Sequence, residues 1–466
     1  MKIYQLPILI LFATITQAIH AETSSPVLSN TQFQQCLDNL QKSAPLSQLP
    51  PTSFNKYRPN APDPSVITAQ QYQPEFKLQP WDYLTSLVDE ERVQDGIAAK
   101  NQLSNVLSQI EHKYQVKGKD VLAVWGVESN FGKTLGKKDL FQSLATLSCF
   151  GNRQSYFRTE YASAIKIVEN GDIKASDMKG SWAGAFGQTQ FMPSTFLRLA
   201  QDFDGDGRKD LVNSSADALA STANFLSKAG YNINEPWGYE VKLPTNYKGV
   251  SARTSKKDIS YWRSQGLTLP NNQPLPDSLR NAGLLLPSGP KGPAFLVGKN
   301  FESFYSYNAS ENYALAIAHL SDLVDSNNLN TAFATPWPTD DGGLTRRQNR
   351  EVQQSLINLG YDIGEPDGII GDKTRYAIQD YQKKYGKVPD GRCGTKTYNL
   401  LKANNHLNPV DTKVSTSQTS NIKNIDRSIE KKSFSIMDYM YWLIGFCILL
   451  IIGIGAYFLY GREKLV

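Results

Sequence analysis

Residues 121–132 read VLAVWGVESNFG, an apolar run that ends in a single carboxylate, Glu128. Apolar surroundings disfavour the charged form of a carboxyl group, so it can hold a proton near neutrality. A general acid for cleaving a glycosidic bond needs that property. An isolated Glu at a helix end is more often a cap or an ion-pair partner, so the rest of the chain has to decide. Asp120 is placed to cap the helix that runs through Trp125 to Glu128. Further on, residues 180–196 read GSWAGAFGQTQFMPSTF. Gly184 and Gly187 there allow a ligand close to the backbone and equally a tight turn between helices, and both can hold at once; Pro193 is suited to opening a helix.

Most glycosidases pair two carboxylates. Asp139, Glu160 and Asp177 stand in polar stretches and read as solvated, so no second acid matches Glu128. A mechanism with one acid follows, in which Glu128 protonates the leaving oxygen and a group of the substrate supplies the nucleophile.

Around this stretch the apolar periodicity is helical. Residues 91–116 carry one apolar face, and residues 161–168, 216–228 and 313–324 read as helices. Between about 235 and 300, Pro, Gly and Asn recur with short strand-like pieces at 239–243 and 294–297. Residues 29–325 are therefore expected to form one mostly helical domain with small β insertions, followed by a linker at 332–343 (AFATPWPTDDGG). Residues 344–402 form a small three-helix unit with turns at 364–371 and 389–394. Residues 403–436 are polar and read as a flexible tether.

The net charge of +5 is mild and evenly spread, with no basic stripe, which argues against a nucleic-acid partner. Lys2 and the apolar residues after it read as an export signal over 1–21, with small-residue cleavage sites at Ala18 or Ala21. An uncleaved anchor is the alternative, but the run is short for a span. Residues 439–460 are 22 residues without a charge and with aromatic ends, which predicts a membrane-spanning helix. Together these predict a periplasmic body anchored to the inner membrane by a single C-terminal pass. Of the four cysteines, Cys447 lies in that run. Among the other three, Cys36 and Cys149 share the first domain and are the preferred disulfide, and Cys393 stands alone.

Residues 202–213 resemble the opening of a calcium loop. Asp202, Asp204 and Asp206 fall at positions 1, 3 and 5, Gly207 at 6, and the Arg208 carbonyl at 7. Position 12 is Asn213 where a Glu belongs. The calcium would be structural, and the chemistry itself calls for no cofactor.

The motifs GVESNFG (126–132), SLATLSCFGNRQSYF (143–157), GSWAGAFGQTQFMPSTF (180–196), DFDGDGRKDL (202–211) and YNASENYALA (307–316) occur here in that order. With them, residues 29–325 resemble the family of membrane-bound lytic murein transglycosylase B, whose catalytic domain is lysozyme-like. Residues 344–402, through VQQSLINLGYDIGEPDGIIGDKTRYAIQDYQ, resemble the peptidoglycan-binding type 1 module. The resemblance implies peptidoglycan as substrate and partner, with cleavage of the β-1,4 bond after N-acetylmuramic acid. Glu128 would act as acid and then base while the C6 hydroxyl closes onto C1 to give a 1,6-anhydro sugar. It further implies sugar contacts from Ser181 and Gln190, and a wall of Tyr307, Asn308 and Tyr313 around the N-acetyl group. Tyr83 would be another cleft aromatic, and Arg153 a contact to glycan or peptide. Phe225 stands where the family can carry a Tyr, which removes one hydroxyl from the substrate site. Asp217 matches a late acidic calcium ligand at a spacing one residue longer. A muramidase that uses water, or a binding scaffold without catalysis, are the competing readings.

Overall fold

The computed structural model describes residues 28–70 and 78–407, and in it the apolar run forms the helix Gly118–Ser129. Ten of its twelve residues are buried. A helix apolar all round must be enclosed by others, and Glu90–Gln102, Ser104–Tyr114, Ser215–Lys228 and Glu311–Ser326 enclose this one. Gly126 permits the closest approach, since a Cβ there would lie 2.6 Å from the Phe131 ring and 2.9 Å from Leu320. Asp120 does not cap the helix, which starts after Lys117. Its carboxylate instead points inward and accepts from the hydroxyls of Ser321 and Tyr231, which offsets its burial.

Two helical cores share the first domain beside the smaller core of its β insertion. One is built on Gly118–Ser129 and its neighbours, with Trp125, Phe301, Phe304 and Leu320 at its centre. The other joins Asn30–Gln41, Leu140–Phe150, Gln154–Glu169 and Pro193–Leu199 through Phe33, Leu144, Tyr161, Phe186 and Phe196. Phe225 and Tyr307 pack against both. A disulfide joins Cys36 to Cys149 within the second core, closing a separation of 113 residues; loops of that length are stabilised by about 4–5 kcal/mol when closed. Pro193 opens its helix.

The apolar face over 91–116 is two helices and not one, because Leu103 leaves helical geometry between them. The β insertion is a four-stranded antiparallel sheet in the order Gly238–Val241, Ala294–Val297, Asn281–Leu285, Lys257–Asp258, with its own core around Trp262, Leu284 and Leu296. The strand Asn281–Leu285 escaped the sequence reading because Gly283 breaks its pattern. A Cβ on Gly283 would lie 2.1 Å from the Arg253 carbonyl oxygen, so close crossing of two chains requires glycine.

Residues 332–343 are pinned down. Glu240 accepts from the amides of Ala334 (2.9 Å) and Thr335 (2.7 Å), and Trp337 stands 6.2 Å from Trp81. Beyond them, helices Arg346–Asn358, Asp372–Lys384 and Thr395–Ala403 enclose a small core of Val352, Leu356, Ile378, Tyr381 and Leu401. Thr345 and Gln348 form a capping box at its start.

The expected membrane-spanning helix is not part of this fold, and the membrane-anchored localisation built on it is withdrawn with it. Among the described residues no helix is long and apolar enough to cross a membrane. The longest, Gln154–Glu169 and Glu311–Ser326, have 16 residues, roughly 24 Å of rise against a hydrocarbon core of about 30 Å. Residues 439–460, like the leader at 1–21 and the tether from 408 onward, lie outside the described residues. The fold class is thus mainly helical and lysozyme-like, with small sheets and a three-helix second domain.

Candidate active site

Glu128 is the penultimate residue of its helix and half-buried. The helix ends because Asn130 and Phe131 adopt left-handed φ values of 50° and 57°, followed by Gly132 at 77°. Two consecutive non-glycine residues in that region are costly unless the surroundings impose them. Here they do so: the Ser129 hydroxyl accepts from the Gly132 amide at 2.9 Å, and Phe131 packs edge-on against Trp125. Glu128 is thereby presented at a rigid corner.

The hydroxyl of Tyr313, from the helix Glu311–Ser326, donates to Glu128 Oε1. Tyr313 stacks on Tyr307 at 6.2 Å, and Tyr307 meets Phe225 at 4.5 Å and Phe191 at 5.8 Å. The Tyr307 hydroxyl donates to the Thr189 carbonyl at 2.9 Å. Burial first, and the charge of Glu128 second, hold the phenols of both tyrosines well above their ordinary pKa. Tyr83 is buried in the same core and adds to the electrostatics felt by Tyr313. Asn308 closes the helix Lys299–Asn308 beside Tyr307, before the left-handed Ala309. Tyr83, Glu128, Tyr307, Tyr313 and Phe225 therefore form one connected group along the seam between the two cores.

Ser181 and Gln190 bracket the loop facing that seam. The Ser181 hydroxyl accepts from the Ala185 amide (3.1 Å), and Gln190, at φ 49°, donates to the carbonyls of Gly187 (2.8 Å) and Leu135 (3.2 Å). Gly184 and Gly187 have positive φ, and a Cβ on them would strike Leu144 and the Leu211 carbonyl. These two glycines thus permit a close approach to the protein's own chain, as a tight turn requires. Arg153 is exposed with its guanidinium 4.2 Å over the Tyr156 ring, outside the Glu128 group.

Two residues of this region were not singled out or were misread. Gln188 is buried and accepts from the Trp125 indole (3.0 Å) and the Ser215 hydroxyl (3.0 Å) while donating to the Val212 carbonyl (3.1 Å). It binds the helix Gly118–Ser129 to the loop and to the acidic turn beyond. Glu160 is not solvated: it is 1% exposed and accepts from the amide (2.8 Å) and hydroxyl (2.7 Å) of Ser194, fixing the helix that Pro193 opens. Its place on the inner face of Gln154–Glu169, three residues after Phe157, was the available signal.

The acidic turn gathers the carboxylates of Asp202, Asp204 and Asp217, with one oxygen of each within 4.8 Å of the others. Burial pushes Asp217 up to about 7, helped by the charge of Asp204 and opposed by amides of Asp210 and Phe203. Asp206 turns to the Arg208 amide (2.8 Å), and Asn213 donates to Asp210 (3.0 Å). Carboxylates crowded in this way suit a hard cation with oxygen ligands, and Asp217 supplies the acid missing at position 12. In the second domain, Ile363, Glu365, Asp367, Ile369 and Lys373 line an open cavity of about 320 Å³.

Residues 32–322 match the family described as the transglycosylase SLT domain. The chain belongs to this family. Residues 346–401 match the putative peptidoglycan binding domain. Among curated proteins, membrane-bound lytic murein transglycosylase B of Escherichia coli (strain K12) is 31% identical over 249 residues, which cover 52% of this chain and 66% of that protein. Among solved structures, SltB3 from Pseudomonas aeruginosa, in complex with NAG-anhNAM-pentapeptide, is 40% identical with a TM-score of 0.63, covering 79% of this chain and 99% of that one. The Escherichia coli lytic transglycosylase Slt35, solved in complex with calcium, is 27% identical with a TM-score of 0.54, covering 65% and 95%. The SLT domain here is accordingly a peptidoglycan lytic transglycosylase domain, and the chain joins it to a peptidoglycan-binding domain.

Proposed function

We propose that this protein cleaves the β-1,4 bond between N-acetylmuramic acid and N-acetylglucosamine in peptidoglycan, leaving 1,6-anhydromuramic acid. The pairing of Glu128 with the buried phenol of Tyr313 carries this reading. A phenol held far above its ordinary pKa stays protonated, so it donates and orients and cannot serve as the base. In this reading the proton that moves is carried by Glu128. In the first half of the reaction Glu128 gives it to the glycosidic oxygen as the C1–O bond breaks. In the second, the C6 hydroxyl bonds to C1 and its proton returns to Glu128, so the enzyme is regenerated and no water is consumed. In this reading Tyr307, Asn308 and Tyr313 hold the N-acetyl face, with Tyr83, Ser181 and Gln190 on the glycan. SltB3 was solved with an anhydro-muramyl ligand and also with NAG-NAM-pentapeptide, which supports a muropeptide as the ligand.

Mass spectrometry of products from purified murein tests it. Anhydro-muramyl ends are expected; reducing muramic acid alone would make the enzyme a muramidase. We further assign a structural calcium to Asp202, Asp204 and Asp217, supported by their convergence and by the calcium complex of Slt35. It would hold the turn that Gln188 ties to the catalytic helix. The cavity of the second domain is the proposed grip on peptidoglycan.

A further inference from the structure

The second domain meets the catalytic domain through three arginines, all its own, and three acids, all within residues 82–91. Arg346 donates from Nε to Asp89 Oδ2 (2.8 Å), from Nη2 to Asp89 Oδ1 (2.9 Å), and from its own amide to Oδ2 (3.1 Å). Asp89 is 1% exposed and also caps Glu90–Gln102 through the Arg92 amide. Arg350 reaches Glu91 at 2.5 Å, and Arg392 grips both oxygens of Asp82, the residue before Tyr83. The remaining nitrogen of Arg346, Nη1, donates to Asn130 Oδ1 at 3.1 Å. Asn130 is the left-handed residue that ends the catalytic helix, two positions after Glu128.

We propose that Arg346 is a positioning residue for Glu128, so that the peptidoglycan-binding domain is part of the catalytic machinery and not only an anchor to the wall. The inference rests on Glu128 being the acid. The buried ion pair with Asp89 fixes the guanidinium in a planar fork. The fork then holds the side chain of Asn130, where the backbone is forced into its left-handed turn. Without it, the corner that presents Glu128 loses its tether to the second domain and can shift as a unit with its turn intact, and displacements of about 1 Å at a reacting group cost up to about a hundredfold in rate.

The test uses the full chain and a soluble, uncrosslinked NAG-NAM tetrasaccharide, with sacculus binding and melting temperature measured in parallel. Arg346→Met is expected to lower kcat about tenfold with KM changed less than threefold, while sacculus binding is retained. Removing Arg346 also strands Asp89, so Asn130→Gly is the second variant; it keeps the left-handed turn and deletes only the acceptor. It should reproduce the loss of kcat without lowering the melting temperature, and the double variant should be no slower than Arg346→Met alone. Arg350→Ala, which removes the ion pair with Glu91 and leaves the contact to Asn130 intact, should keep wild-type kcat. Wild-type kcat in Asn130→Gly, or a loss confined to sacculus binding, overturns the proposal. Glu128→Gln, run alongside, judges the acid itself: full activity there removes the reading beneath this one, whereas inactivity with a normal Asn130→Gly removes only the positioning role.

Discussion

Two seams cross this molecule, and they are built from opposite materials. The seam between the halves of the catalytic domain is aromatic: Phe225, Tyr307 and Phe191 lie ring to ring, Phe191 within the second core and the other two packed against both. The seam between the catalytic and binding domains is ionic, with Arg346, Arg350 and Arg392 facing Asp89, Glu91 and Asp82. Burying apolar surface is non-directional and is not weakened by ionic screening. Paired charges are directional, and where exposed they are screened. The first seam therefore suits a cleft that must keep its shape, and the second suits a domain that must be held in one register.

The largest effect should come at the point where the aromatic seam meets chemistry. Glu128→Gln keeps the shape and removes the proton, and should lower lytic activity by about 10³-fold or more, measured as release of soluble muropeptides. Next, Tyr313→Phe keeps the ring stack but removes the donor to Glu128; a fall in kcat of about 10- to 100-fold is expected, with little change in melting temperature. Wild-type kcat in that variant would leave the carrying observation without a role. Phe225→Ala should act through stability instead, costing about 3 kcal/mol by denaturant titration, because it opens a cavity shared by both cores. EGTA should lower the melting temperature of the wild type by several degrees and leave Asp217→Asn unmoved; equal shifts in both would separate the acidic turn from calcium. Smallest of all, Arg350→Ala at the partly exposed edge of the ionic seam should cost less than about 1 kcal/mol, vanishing at high salt.

What was legible in the sequence was what local pattern encodes. The apolar surround of Glu128, the helical period over 216–228 and 313–324, the turns at 364–371 and 389–394, and the acid spacing of 202–206 all lie within short windows. What escaped depends on neighbours far along the chain. Asp120 looked like a cap because its partners, Tyr231 and Ser321, lie more than a hundred residues away. Glu160 looked solvated because Ser194 gives it its reason to be buried. Composition marked residues 332–343 as a linker and was silent about Glu240, which fastens them. The membrane-spanning expectation came from hydropathy alone, in a stretch beyond the described residues.

The left-handed corner at Asn130 and Phe131 has one more consequence. A helix normally ends by fraying, so its last side chains sample several orientations in solution. This one ends on a geometry that few sequences tolerate, locked from three sides: by Ser129, by Trp125 and by an arginine from another domain. The chain has therefore settled the direction of the Glu128 carboxyl before any ligand arrives, and on the proposed reaction a glycan strand meets a fixed tool.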